Sequence, residues 1–123
     1  MRLFMELVKL TRRKNPEATI VLSEVVPWEN ETEDQKYKRN CVNMHMRDIE
    51  KHLAENCYCF RTSRAFNRVQ EENKKRKERG EKEIRLYSRD GVHPSRDGNK
   101  VLKKSINGNM ITLKGKLKKL NKL

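Results

Sequence analysis

The sequence predicts an α/β fold with two parallel strands and about four helices, and three observations predict it. Residues 18 to 26 form an apolar, β-branched run of strand length, closed by Pro27. Cys57 to Phe60 is a second, shorter run of the same kind. The stretches before, between and after these runs repeat apolar residues at three- and four-residue steps, the period of an amphipathic helix. A helix-strand-helix-strand order implies parallel pairing through a right-handed crossover.

In residues 2 to 14, Leu3, Phe4, Leu7, Val8 and Leu10 make a helical stripe, Arg12, Arg13 and Lys14 suit the dipole of the last turn, and Asn15-Pro16 ends the helix. The near-continuous hydrophobicity of residues 18 to 26 predicts a strand buried on both faces. Functional groups gather at the carboxyl ends of strands in such sheets, which is where Pro27, Trp28 and Glu29 fall. Trp28 is therefore a candidate to line a substrate cleft, the alternative being a ring packed under a loop. After a polar loop, Tyr37, Cys41, Met44, His45, Ile49, His52 and Leu53 mark the expected core face of a long helix. Residues 62 to 83 read as a solvated helix carrying Phe66, Val69 and the favourable pair Glu71 and Lys75, with Gly80 as its stop. Ile84, Leu86 and Tyr87 return the chain to the core. A last helix follows Ser95, its N-cap, with Asp97 in the first turn and Val101, Leu102, Ser105 and Ile106 along it. Asn107-Gly108-Asn109 is expected to break it. The chain thus divides into a domain at 1–108 and a basic tail at 109–123, frayed or helical, with Leu113, Leu117 and Leu120 at helical spacing.

A hydrophobic fraction of 34% against 38% charged residues supports one domain with a thin core. The net charge of +13 attracts polyanions, and from residue 99 onward there are eight Lys and no acid. The tail is accordingly a candidate for nonspecific contact with nucleic acid or an anionic surface, or a solvated end. Cys57 and Cys59 are set on opposite faces of one strand, and all three cysteines, Cys41 included, are expected reduced, in an intracellular setting, cytoplasmic or nuclear. No transmembrane segment or signal core is expected, since Glu6 and Lys9 interrupt residues 1 to 10. A zinc site can be drawn through Cys41, His45, His52, Cys57 and Cys59, but Cys-x-Cys lacks the spacing of a zinc knuckle, and these residues are read as core and rim. Neither metal nor cofactor is expected.

The chemistry of the chain concentrates in Asp90-Gly91-Val92-His93-Pro94-Ser95-Arg96-Asp97-Gly98. Pro94 biases His93 to an extended conformation, ahead of the helix and not within it. An Asp that accepts from one imidazole nitrogen fixes the tautomer and steadies the imidazolium, leaving the other nitrogen to take a proton from a hydroxyl. A bare Asp-x-x-His is more often only a turn leading into a helix.

The complete string from Leu86 to Leu102 resembles the last conserved block of the SGNH (GDSL-type) hydrolases, whose Asp-x-x-His supplies the acid and base of a Ser-His-Asp triad. Asn15 to Pro27 resembles the strand and following Pro that precede the last third of those domains. The resemblance spans most of residues 1 to 106 and implies part of a three-layer, flavodoxin-like fold. It implies an ester substrate, with Asp90 orienting His93 and His93 acting as base and then acid. Asn40 lies near a position where the family often carries Asn. The family's nucleophile turn, Gly-Asp-Ser, and its Gly-x-Asn-Asp block are absent here. The chain therefore reads as the C-terminal part of such a domain, expected to be inactive alone. Of the local hydroxyls Ser23, Ser63, Ser88 and Ser95, none sits in a nucleophile motif. The alternative reading is a basic nucleic-acid-binding or accessory module, by analogy part of a mobile-element polyprotein.

Overall fold

In the computed structural model, which describes residues 2–120 and only the backbone of Arg2 and Leu53, two short strands pair in parallel among four helices. The first helix, α1 (Arg2–Lys14), lays Phe4, Met5 and Val8 against Ile20, Leu22 and Cys57. Leu3, Leu7 and Leu10 face outward instead of joining the core, with Leu3 67% exposed. Arg12 fixes that rotation. Its guanidinium donates to the carbonyls of Pro16 (3.2 Å), Glu55 (2.8 Å), Asn56 (3.1 Å) and Ala18, so it staples the amino ends of both strands.

Strand β1 (Ile20–Ser23) pairs with β2 (Cys57–Phe60) in the register Ile20 with Cys57 through Ser23 with Phe60. It is shorter than the apolar run, and its residues alternate between half-buried and exposed. Burial on both faces is therefore corrected: β2 ends at Phe60, the last ladder bond is Glu24 N–H to the Phe60 carbonyl (3.0 Å), and the outer face over Val21 is left uncovered. Cys57 and Cys59 are both buried and share a face, as positions two apart on a strand must; the opposite-face placement was an error of period.

Helix α2 (Glu33–Asp48) opens on a capping box between Thr32 and Gln35, then widens into a π-helical turn, Ile49–Leu53. Its inward face keeps Ile49 of the expected stripe but not Tyr37, Met44 or His52. Asn43, Met46 and Ile49 are buried, while Tyr37, Met44 and His52 are exposed, and the Leu53 side chain lies outside the described residues. The helix is rotated because Asn43 is needed inside: its amide accepts from Val25 N–H (2.8 Å) and donates to the Val25 carbonyl (3.0 Å), replacing the strand partner that β2 no longer provides. Asn73 does the same for Ile84, from helix α3 (Thr62–Glu78), with both bonds at 2.8 Å. Gly80, at φ 70, turns the chain after α3 as the sequence suggests.

The last helix, α4 (Arg96–Lys119), is continuous, so the break at Asn107-Gly108-Asn109 does not occur and residues 109–119 are helical; residues 121–123 lie outside the description. Ser95 Oγ caps it by accepting from Gly98 N–H (3.0 Å). Leu113 and Leu117 are buried against Phe60 and Tyr58, on the face of β2 opposite the α1 cluster. A Gly inside a helix costs about 1 kcal/mol relative to Ala. Burying two Leu side chains offsets that several times over, at about 1.5–3 kcal/mol each. Gly98 is required for a different reason: a Cβ there would lie 1.9 Å from the Leu86 carbonyl oxygen.

Leu113→Ala is expected to lower unfolding stability by about 2–4 kcal/mol, as for other buried Leu truncations. Urea denaturation followed by circular dichroism measures this, and a loss below about 0.5 kcal/mol would mean that the end of α4 is not packed on Phe60.

Candidate active site

The loop between Tyr87 and α4 is closed at its base and anchored at its tip. Tyr87 and Pro94 form an antiparallel bridge, flanked by Ser95 N–H to the Leu86 carbonyl (2.8 Å) and Ser88 N–H to the His93 carbonyl (2.9 Å). At the tip, Gly91 adopts φ 71, which glycine takes without strain, and its carbonyl accepts from Glu29 N–H (2.9 Å). Glu29 belongs to the segment leaving β1, so the loop sits beyond the carboxyl end of that strand.

Within this frame Asp90 and His93 meet. His93 Nδ1 lies 2.5 Å from Asp90 Oδ2, while Oδ1 accepts from Val92 N–H and His93 N–H at 2.9 Å each and from Ser88 Oγ–H at 2.9 Å. The imidazole contact above all, then the two backbone donors and the Ser88 hydroxyl, hold the Asp90 carboxyl well below the usual carboxylate range. A carboxylate kept ionised in this way fixes Nδ1 as the protonated nitrogen. The ring is 78% exposed, and Nε2 has no hydrogen-bond partner among the described residues.

Tyr87 positions the loop from beneath. It is buried, its ring meets Phe66 edge to face at 5.9 Å, and its hydroxyl donates to the Pro27 carbonyl (2.7 Å) and accepts from Gln70 Nε2 (3.2 Å). Burial pushes that hydroxyl up to about 12, so it remains a donor at every physiological pH. The pattern of the sequence marks Tyr87 only as a core residue; its hydroxyl contact is not visible there. Asn43 and Asn73 were likewise missed, although Asn inside a helix, where it competes with the backbone, is a signal that could have found them.

Trp28 is 43% exposed and lines a groove of about 630 Å³ with Arg39, Asn40, Asn67 and Gln70. Neither Asp90 nor His93 lines this groove, and the link is Glu29, which borders it and holds Gly91. Arg39 is fixed by a two-pronged pair with Glu31 (2.7 and 2.8 Å), both side chains nearly buried. The four serines are otherwise engaged. Ser23 meets Thr62 Oγ1 (3.3 Å), Ser63 accepts from Arg39 (3.3 Å), Ser88 holds Asp90, and Ser95 caps α4. Among the described residues, no three His, Cys, Asp or Glu side chains converge as a metal site would require, so Cys41, His45, His52, Cys57 and Cys59 do not come together. No helix among them is long and apolar enough to cross a membrane. Compared with known proteins, the chain matches no family model, no curated protein and no solved structure.

Two measurements check this geometry. Because the folded value of Asp90 is depressed, its contribution to stability is complete above the ordinary Asp value of about 3.9 and is lost as pH falls through the folded one. The Asp90 ¹³Cγ shift should accordingly stay that of a carboxylate at pH 3, and a midpoint near 4 would contradict the contacts described. Tyr87→Phe leaves the buried Pro27 carbonyl unpaired and should cost about 1–3 kcal/mol in denaturant unfolding. An unchanged midpoint would remove Tyr87 as the strut.

Proposed function

We propose that this chain carries the acid/base part of an ester hydrolase site of the SGNH type, acting on a hydroxyl nucleophile that it does not itself provide. The single observation that supports the reading is the Asp90–His93 contact, with Oδ1 saturated by local donors and Nε2 left open. Nε2 takes the proton of an attacking serine hydroxyl as the oxygen bonds to the ester carbonyl carbon. The imidazolium so formed is steadied by Asp90 and returns the proton to the departing alcohol. Water then repeats the sequence on the acyl-enzyme, restoring the hydroxyl and releasing the acid. Exposure of the couple to solvent fits a site still lacking the wall that would exclude water around the ester. The groove at Trp28 is a place for the substrate's remainder, linked to the loop through Glu29. The general α/β class of the fold, with the couple beyond the exit of β1, agrees with this reading.

The chain alone should leave a fluorophosphonate probe unbound. Fused behind the N-terminal half of an SGNH esterase cut before its own Asp-x-x-His block, it should restore labelling and turnover of p-nitrophenyl acetate. His93→Ala should then remove about six orders of magnitude of turnover, and Asp90→Asn about four, as for other triads. A fusion that folds, by circular dichroism and cooperative melting, yet stays unlabelled would overturn the proposal, as would labelling of a serine of the isolated chain that His93→Ala abolishes.

A further inference from the structure

Some cations on this protein stand beside acids. Lys38 lies 2.9 Å from Asp34, Lys74 3.2 Å from Glu71, and Arg79 2.9 Å from Glu81. The first half of α3 and the whole of α4 beyond Asp97 depart from that arrangement. Residues 62–70 contain Arg64 and Arg68 and no acid, and no acid follows Asp97. Arg64 and Arg68 are exposed, one turn apart on one helix face, where like charges repel by a few tenths of a kcal/mol. Neither has an ion-pair partner among the described residues, nor does Lys104 on α4.

These three cations border one groove. It has a volume of about 560 Å³, runs between α3 and α4, and is floored by Ala65, Val69 and Val101. Ser105, Asn109 and Thr112 add small polar groups along the α4 side, and no acid lines it. Arg61 closes one end, partly neutralised by Glu50 at 3.5 Å. At Gly108 a Cβ would meet nothing within 4 Å, so the α4 wall is low there. Guanidinium groups match phosphate oxygens with two parallel hydrogen bonds, and Lys adds a point charge. The groove has no aromatic lining on which a base would stack.

We infer that the groove between α3 and α4 binds the sugar-phosphate backbone of a nucleic acid strand, without reading its sequence, with Arg64, Arg68 and Lys104 as the phosphate contacts. The site is separate from the Asp90–His93 couple and stands whether or not that couple serves an esterase. It moves the expected polyanion contact from the end of the chain to a built concavity in the fold, with the Lys residues of α4 extending it.

Anisotropy of a labelled single-stranded oligo(dT), titrated with the full chain at 50–200 mM salt, tests this. Each phosphate neutralised on a single strand contributes about 0.7 to the slope of log affinity against log salt, so three contacts give a slope near −2 or steeper. Arg64→Gln with Arg68→Gln should reduce its magnitude by about 1.4, and oligo(dA) of equal length should bind like oligo(dT). Lys14→Gln with Lys51→Gln removes the same charge away from the groove and should leave the slope nearly unchanged. Helix content by circular dichroism verifies that each variant is folded. Equal losses from both pairs would reduce the effect to net charge and overturn the site. So would a slope untouched by the Arg pair but abolished by Lys114, Lys116, Lys118 and Lys119→Gln, or binding to phosphatidylserine vesicles with none to the oligonucleotide.

Discussion

The Tyr87 phenol is buried between the Phe66 ring and the Pro27 carbonyl, and that position ties together three stretches of chain that share no strand ladder. Phe66 belongs to α3, Pro27 to the exit from β1, and Tyr87 to the base of the loop that presents Asp90. Leu86 on the same base is held by Ser95 and is crossed so closely by α4 that only glycine fits at position 98. The carboxyl edge of the sheet is thus a packed junction, and the loop inherits its placement from it. Because Tyr87 is buried and must place its hydroxyl, loss of this contact would leave an unpaired carbonyl where water has little access.

A sheet of two four-residue strands cannot satisfy much backbone by itself, and the fold compensates with side chains that act as substitute partners. Arg12 collects the carbonyls before the strands, Asn43 pairs with Val25 just past them, and Asn73 pairs with Ile84 ahead of the loop. Glu24 is buried at the strand end with Arg47 2.5 Å away, and Thr62 Oγ1 donates to its carbonyl (2.8 Å) at the start of α3. These contacts explain how a chain with so little apolar material has three separate small clusters and not one large core.

Local features were the readable part of the sequence. The bounds of α1, the Ser95 cap and the turn at Gly80 depend on neighbours within a few residues, and each was found where the pattern put it; the parallel pairing of the two runs followed instead from the alternation of helix and strand. The meeting of Asp90 with His93 is of the same kind, since Gly91 and Pro94 shape the turn between them. What escaped was set by tertiary contact. On α2 the stripe of Tyr37 and Met44 lost to one of Asn43, Met46 and Ile49, because the strand exit demanded the amide of Asn43. Along α4 the breaker at Gly108 lost to the burial of Leu113 and Leu117, although the four-residue rhythm from Val101 through Ser105 and Asn109 runs on to both leucines in phase. Any enzymatic role stands on the chemistry of the couple, because the surrounding fold is general to the α/β class.

All four donors that the Asp90 carboxylate accepts come from residues 88, 92 and 93. The couple is consequently a portable device: a stretch of about ten residues brings its own scaffold, and the wider architecture only decides where it is aimed. None of the contacts to the carboxylate comes from the sheet beside it. Evolution could therefore redeploy it without rebuilding it, and a designer could graft it onto any strand exit that offers one backbone N–H for the carbonyl of Gly91.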